Sequence, residues 1–324
     1  MPSASAKHQA RIAAALAAGQ AARSAIAASW ARSVTLHHLD PGHRTVGDRL
    51  TATELAAARD RLGPLIDSAA PHLDRLFTVV SGLGACVVLA DSQGIALERR
   101  GNRAEDRDFA SAELWTGVCW SEAAAGTNGI GTCLAEGRAV TIHRDQHFLS
   151  RNIDLSCSSA PVHDAQGNLA AVIDVSTARR DLPDGVAGLL GHTVAGAARM
   201  IEADLFQSAF PKARLVLVPG TDRGLGALLA VDADDLVLGA TRAARAHLGL
   251  PADPVLRPQP LGDVLGLPSL DRLDEAERAV LARALARASG NVSAASRALG
   301  LSRATLHRKL GRRGEDSPAD LSQD

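Results

Sequence analysis

Three features of this sequence point to a multidomain α+β chain with an all-α unit at its C-terminal end. Two strings, "GACVVLADSQGIALERRG" (84–101) and "SAPVHDAQGNLAAVIDVS" (159–176), each read strand, turn, strand. In both, an Asp (Asp91, Asp164) opens the turn and a Gly (Gly94, Gly167) closes it, as a tight hairpin requires. Helical periodicity runs from Ser5 to about Ile66 before them and from roughly Pro183 to Phe206 after them. Last, "GNVSAASRALGLSRATLHRKL" (290–310) sets two short helices around Gly300, a helix-turn-helix layout.

In chain order, apolar residues recur at Ile12, Leu16, Ile26 and Trp30, and Pro41-Gly42 breaks that helical pattern. "TATELAAARDRLGPL" restarts it, with Thr53 as the expected N-cap and Gly63-Pro64 as the stop. Between the hairpins a Gly-rich stretch leads into an expected helix, Thr127 to Glu136, and the strand "RAVTIH". A shorter third hairpin turns at Asp232, and "TRAARAHLGL" follows it as a short helix. Five prolines between 251 and 268 mark a linker. Beyond it, Leu273, Val280, Leu281, Ala284 and Leu285 share one helical face, and Asp274, Glu275 and Glu277 suit the dipole of that helix's first turn. Gly290 ends it, Ser293 caps a second helix, and Ser302 caps a third from Arg303 to about Arg312. The expected segments are therefore 1–66, helical; 67–206, the hairpin domain; 207–262, third hairpin and linker; 263–313, the helix-turn-helix unit; and 314–324, an acidic disordered tail.

Composition narrows the classes. With 324 residues the chain has room for two or three domains, and 46% hydrophobic against 22% charged residues excludes wholesale disorder. No apolar run is long enough for a membrane span, and Arg11 and Arg23 interrupt the Ala-rich start, so neither membrane nor export is expected. Cys86, Cys119, Cys133 and Cys157 form no CxxC pair and read as reduced cytoplasmic thiols.

A formal net charge of −1 excludes a globally basic nucleic-acid coat, but not a local one. From Asn291 to Arg313 there are six positive residues, Arg297, Arg303, Arg308, Lys309, Arg312 and Arg313, and no Asp or Glu. Such a cluster gains from counterion release on phosphates. The start of the third helix then reaches base edges, which makes Arg297, Ser302, Arg303, Thr305, His307, Arg308 and Lys309 the candidate DNA contacts.

The other dense region is 113–162. Trp115 and Trp120 flank Cys119, with Glu122 and Asn128 close behind and His147 and Cys157 further on. Apolar walls with a few polar groups are the make-up of a small-molecule site, so these seven are the candidate ligand-binding residues. "TNGIGT" is no phosphate fingerprint and reads as a tightly packed helix start. His143 and His147 with Cys119 and Cys157 make a poor metal set, because "RAVTIH" is strand. Neither metal nor cofactor is expected, nor is a catalytic thiol, burial being the common fate of free Cys.

Strings along the chain also resemble a known family. "GNVSAASRALGLSRATLHRKL" is similar to the Fis-type helix-turn-helix of bacterial enhancer-binding proteins. "WSEAAAGTNGIGTCLAEGRAVTIHRDQHF" with "LSCSSAPVHDAQGNLAAVIDVS" resembles the GAF sensor domain of activators related to the acetoin-catabolism regulator, and "GALLAVDADDLVLGATRAARAHLGL" resembles the PAS-like segment after it. The resemblance implies a GAF-type antiparallel sheet with helices, a small organic effector in its cavity, and a homodimer formed through the helix before the DNA-binding pair. Relatives carry an ATPase module, whose Walker A loop needs G-x-x-x-x-G-K-[ST]. The three lysines here, Lys7, Lys212 and Lys309, follow no glycine, so no ATPase activity is expected. The expected function is a cytoplasmic, bacterial, effector-responsive DNA-binding regulator that occupies DNA or touches RNA polymerase directly. The alternatives are a GAF-fold cysteine-dependent redox enzyme and a modulator that heterodimerises with an ATPase-bearing relative.

Overall fold

In the computed structural model, residues 3–43, 49–181, 183, 185–220, 226–251, 256–267 and 273–311 are described. Arg312, Arg313, the tail 314–324 and the side chains of Asp274 and Glu275 lie outside the described residues. The chain divides into two compact units, Met1–Pro258 and Gln259–Asp324.

The first unit begins with α1 (Ala4–Ala17) and α2 (Ala25–Ala31), capped by the Ser3 and Ser24 hydroxyls; α2 continues into a π-helical turn, Arg32–Leu36. Next come α3 (Ala52–Arg61) and α4 (Gly63–Val80). Thr51, not Thr53, caps α3: its hydroxyl accepts from Glu54 N and the Glu54 carboxylate reaches back to Thr51 N, a reciprocal capping box. Gly63-Pro64 does end α3, and the same proline opens α4, where its missing N–H is harmless.

The sheet follows: β1 (Ala85–Asp91), β2 (Ala96–Arg100), then α5 (Asp106–Ser111), α6 (Glu122–Ala125), α7 (Gly129–Glu136), β3 (Val140–His143), β4 (Ser156–His163) and β5 (Leu169–Thr177). Its order is β2-β1-β5-β4-β3, with the register given antiparallel throughout. Strand alternation divides β1 between two cores. Val87 and Leu89 join Val162, Ile173 and Val175 beneath α4 and the 25-residue α8 (Gly185–Ala209). Cys86, Val88 and Ala90 face the other way, toward Ile12, Trp30, Phe109, Trp120, Ile130 and Phe148. The N-terminal helices, expected as a segment of their own, thus contribute Ile12 and Trp30 to the sheet's second core.

Beyond α8, β6 (Arg214–Leu217), β7 (Leu228–Val231) and β8 (Leu236–Ala240) pair antiparallel and lead into α9 (Arg242–Leu248). All three hairpins use one turn. Asp91, Asp164 and Asp232 each accept two backbone N–H groups through Oδ1. Position four of the turn is left-handed in each, filled by Gly94, Gly167 and Asp235.

The second unit contains α10 (Leu261–Val264), α11 (Leu273–Arg287), α12 (Val292–Ala298) and α13 (Arg303–Gly311). Leu281, Ala284, Ala295 and Leu306 form its core. Leu273 and Val280, expected on the buried face, are exposed: α12 and α13 pack on the later turns of α11 around Leu281 and Ala284, and the Leu273–Val280 stripe lies one helical step off that seam. Asn291 rather than Ser293 caps α12, accepting from Ala294 N.

The glycines of "TNGIGT" serve close packing. A Cβ on Gly131 would lie 2.5 Å from Glu122 N and 2.6 Å from Trp120 O, both backbone atoms that cannot step aside. Gly131→Ala should therefore cost about 1–3 kcal/mol by overpacking. Gly188→Ala, with nothing within 4 Å in α8, should instead be neutral or gain up to about 1 kcal/mol. Urea titration of the two variants distinguishes them.

Candidate functional site

Register builds a polar row into the second core. Across β4 and β5, Cys157 pairs with Ser176 and Ser159 with Asp174, and alternation turns all four side chains toward α7. Asp174 is buried, accepting from Ser159 Oγ at 2.5 Å and lying 2.6 Å from Ser176 Oγ. Burial outweighs both serine hydrogen bonds and pushes its carboxyl up to about 6. Gly129, first residue of α7, lies against the row so closely that a Cβ would sit 2.4 Å from Ser159 Oγ and 2.6 Å from Asp174 Oδ1.

His147 continues the row from the other side. Its Nδ1 lies 2.9 Å from the Arg144 carbonyl and its Nε2 3.2 Å from Cys157 Sγ. A carbonyl only accepts, so Nδ1 carries the ring proton and Nε2 accepts from the Cys157 thiol. Burial holds the imidazole down at about 4 and raises the Cys157 thiol well above its ordinary value. The pair is therefore a neutral imidazole and a protonated thiol, the opposite of an activated thiolate.

Glu122 anchors the N-terminal helices. Its buried carboxylate accepts from Ser29 Oγ at 2.6 Å and from Arg32 Nε and Nη2 at 2.8 Å each. Ser29 Oγ also meets Thr127 Oγ1 at 2.6 Å. Asn128 holds backbone rather than facing a cavity: Nδ2 donates to Trp120 O and Gly126 O, and Oδ1 accepts from Gly131 N as the cap of α7. Trp120 is fully buried with its indole N–H unpartnered. Cys119 is half-buried beside Ser121 Oγ and Gln93 O, and Trp115 packs under the Arg99 guanidinium at 4.2 Å. Of the seven expected ligand-binding residues, His147 and Cys157 are joined by a side-chain hydrogen bond. Two surface depressions, about 490 Å³ between α1 and α2 and about 240 Å³ beside α5, are lined by none of the seven.

Sequence reasoning passed over Asp174, Ser159, Ser176, Ser29 and Arg32. Asp174 left a trace, an acid inside the apolar strand "AVIDVS". Among the described residues no group of His, Cys, Asp or Glu could hold a metal, and no helix is long and apolar enough to cross a membrane.

In the second unit, Gly300 is left-handed between α12 and α13, and the Ser302 hydroxyl accepts from Thr305 N at 3.0 Å. Arg297, Ser302, Arg303, His307 and Arg308 are exposed; Thr305 is half-buried with Oγ1 against Ser302 Oγ. Lys309 is tied to Glu277 on α11, which makes it a brace between helices.

Asp174 and His147 oppose one another in acid. The Asp174 carboxyl is raised in the fold, so folding takes up its proton, and stability from this group falls as pH rises from about 4 to about 6. The His147 imidazole is lowered, so its contribution is full above about 6.5 and is lost as pH falls toward about 4. Asp174→Asn should leave a fold that weakens steeply on acidification, and His147→Gln one that gains stability over the same range. Each slope amounts to something on the order of 3 kcal/mol, read by urea titration at pH 4.5, 5.5 and 7.

Comparison with known proteins places the chain. Residues 272–312 match the family described as "Bacterial regulatory protein, Fis family". Residues 2–198 match "MimR, N-terminal domain". The acetoin catabolism regulatory protein of Cupriavidus necator is 37% identical over 148 residues, 46% of this chain and 22% of that protein. The propane 2-monooxygenase operon transcriptional activator MimR of Mycolicibacterium smegmatis is 33% identical over 164 residues, 49% of this chain and 26% of its own length. The chain thus spans about a quarter of the length of these curated relatives. The crystal structure of the E. coli DhaR(N)–DhaL complex aligns with a TM-score of 0.53 at 18% identity, over 70% of this chain and 77% of that one, a likeness of fold. Because the match over 2–198 covers more than half of the chain, including the whole five-stranded sheet and the helices that bury its second face, the chain belongs to the family of the MimR N-terminal domain.

Proposed function

We propose that this chain is a DNA-binding transcription regulator that senses a small organic effector through its first unit and holds DNA through its second. The observation that carries the reading is the second unit: a Fis-type helix pair whose described arginines, Arg297, Arg303 and Arg308, are all exposed, as is His307. Lys309 is ion-paired with Glu277, so a phosphate would have to compete with that carboxylate for it. The sensing half rests on the GAF-like sheet and on the relatives named as transcriptional activators. Effector occupancy then alters affinity for DNA, or contact with RNA polymerase, without ATP hydrolysis.

The exposed stripe of Leu273 and Val280 on α11 supports a homodimer through that helix, since apolar side chains in line on one helix favour a matching partner. The same stripe suits the second reading, pairing with a longer ATPase-bearing relative. A redox enzyme acting through Cys157 is disfavoured by the buried, protonated thiol beside a neutral His147.

A salt-series titration of the full chain against its own upstream DNA, beside the Arg303→Ala/Arg308→Ala double variant, tests the reading. Loss of two phosphate contacts should make the log–log salt slope shallower by roughly 2 and weaken binding at every salt concentration. Equal, salt-insensitive binding by both proteins overturns it.

A further inference from the structure

His163, the last residue of β4, meets charged groups from two other elements. Its ring Nδ1 lies 2.6 Å from Glu202 Oε1 on α8, and that oxygen also accepts from the His163 backbone N–H at 2.8 Å. On the other side, Arg242 Nη1, from the first residue of α9, lies 2.7 Å from His163 Nε2. A guanidinium only donates and a carboxylate only accepts, so these two bonds assign the ring. Nε2 is the bare acceptor, Nδ1 carries the proton, and the imidazole is neutral. The His163 side chain is 9% exposed, whereas Arg242 reaches it from the surface.

These contacts lie where the third hairpin meets the five-stranded sheet. Ala165, in the turn after β4, packs with Phe206 of α8 and with Leu228 and Ala230 of β7. A Cβ on Gly167 of the same turn would lie 3.6 Å from the Arg242 Cβ. Arg242 Nη1 also donates to Gly137 O at 3.4 Å, at the end of α7, where Arg138 pairs with Glu136. The remaining charged groups of the packed elements are engaged elsewhere. The Asp164 carboxylate holds its own turn and Asn168. On α8, Arg199 lies along Gly226, and Asp204 is met by His72 of α4. His163 is thus answered by one anion on α8 and one cation on α9.

Proton uptake reverses one side of this arrangement. An imidazolium donates through both nitrogens, so Nε2 would turn an N–H toward Arg242, cation facing cation. The bond from Nδ1 to Glu202 would at the same time become charge-assisted. Imidazoles as a class make this change between neutrality and mild acid. We infer that His163 is a proton-operated joint: neutral, it ties α9 to the sheet; protonated, it releases Arg242 and holds α8 more firmly. The apolar contact of Ala165, Phe206, Leu228 and Ala230 persists in both states. The response is therefore a local loosening of α9 and its hairpin, not their separation from the sheet.

Hydrogen–deuterium exchange of the full chain at about pH 7.5 and about pH 5.5, corrected for intrinsic amide rates, tests it. His163→Gln supplies a neutral control, because its amide can donate to Glu202 and accept from Arg242 without titrating. On acidification, residues 228–248 of the wild type should lose about threefold more protection than those of His163→Gln. Arg242→Met should show the lowered protection already at the higher pH and respond little to acid. His163→Gln responding like the wild type, or Arg242→Met matching the wild type at either pH, overturns the proposal. If His163→Gln does not fold, the Arg242→Met comparison decides. Long-range proton–nitrogen spectra of the His163 ring give an independent check: a proton on Nε2 at the higher pH also overturns it.

Discussion

The first unit is organised around the absence of two side chains. Gly129 and Gly131 let the opening turn of α7 lie directly on β4–β5 and on the backbone of 120–122, closer than any Cβ permits. That contact sets what the neighbouring polar groups can do. Asp174 and Ser159 are sealed beneath Gly129, and the seal is what raises the Asp174 carboxyl. Trp120 and Glu122 are fixed because Gly131 packs on their backbone and Asn128 holds the Trp120 carbonyl. From Glu122 the constraint passes to Ser29 and Arg32 and so to the N-terminal helices.

The seven residues expected as a ligand set are held largely by protein groups around them. Rare residue types cluster there within one densely packed core, that on the second face of the sheet. Asn128 spends its whole hydrogen-bonding capacity on backbone, and Glu122 is occupied by a serine and an arginine. His147 and Cys157 satisfy one another. The polar atoms left without partners include Trp120 Nε1.

Much of the fold was legible because it rests on local chemistry. The Asp-first turns announce themselves, since one carboxylate oxygen collects two nearby N–H groups wherever the chain reverses. Gly63-Pro64 and Gly300 stop helices for equally local reasons. Misplaced caps came from choosing among adjacent candidates: Thr51 and Asn291 win because their partners, Glu54 and Ala294, stand three residues on. Leu273 and Val280 are exposed despite their spacing, because periodicity marks an apolar face without saying whether its partner lies in the same chain. Arg99 gave no sign in "IALERRGN", since its burial depends on register with Val88 and on Phe109 and Trp115 arriving from elsewhere.

The tie between Glu122 and the N-terminal helices also governs how this domain can be moved between proteins. A fragment cut to begin at the first strand would keep all five strands yet strip Ser29 and Arg32 from a carboxylate that stays buried, and bare the face that Ile12 and Trp30 cover. An uncompensated buried charge is costly enough to unfold a small domain. A transplantable version of this module therefore starts upstream of Ala4, and chimaeras joined nearer the sheet will fail at the graft.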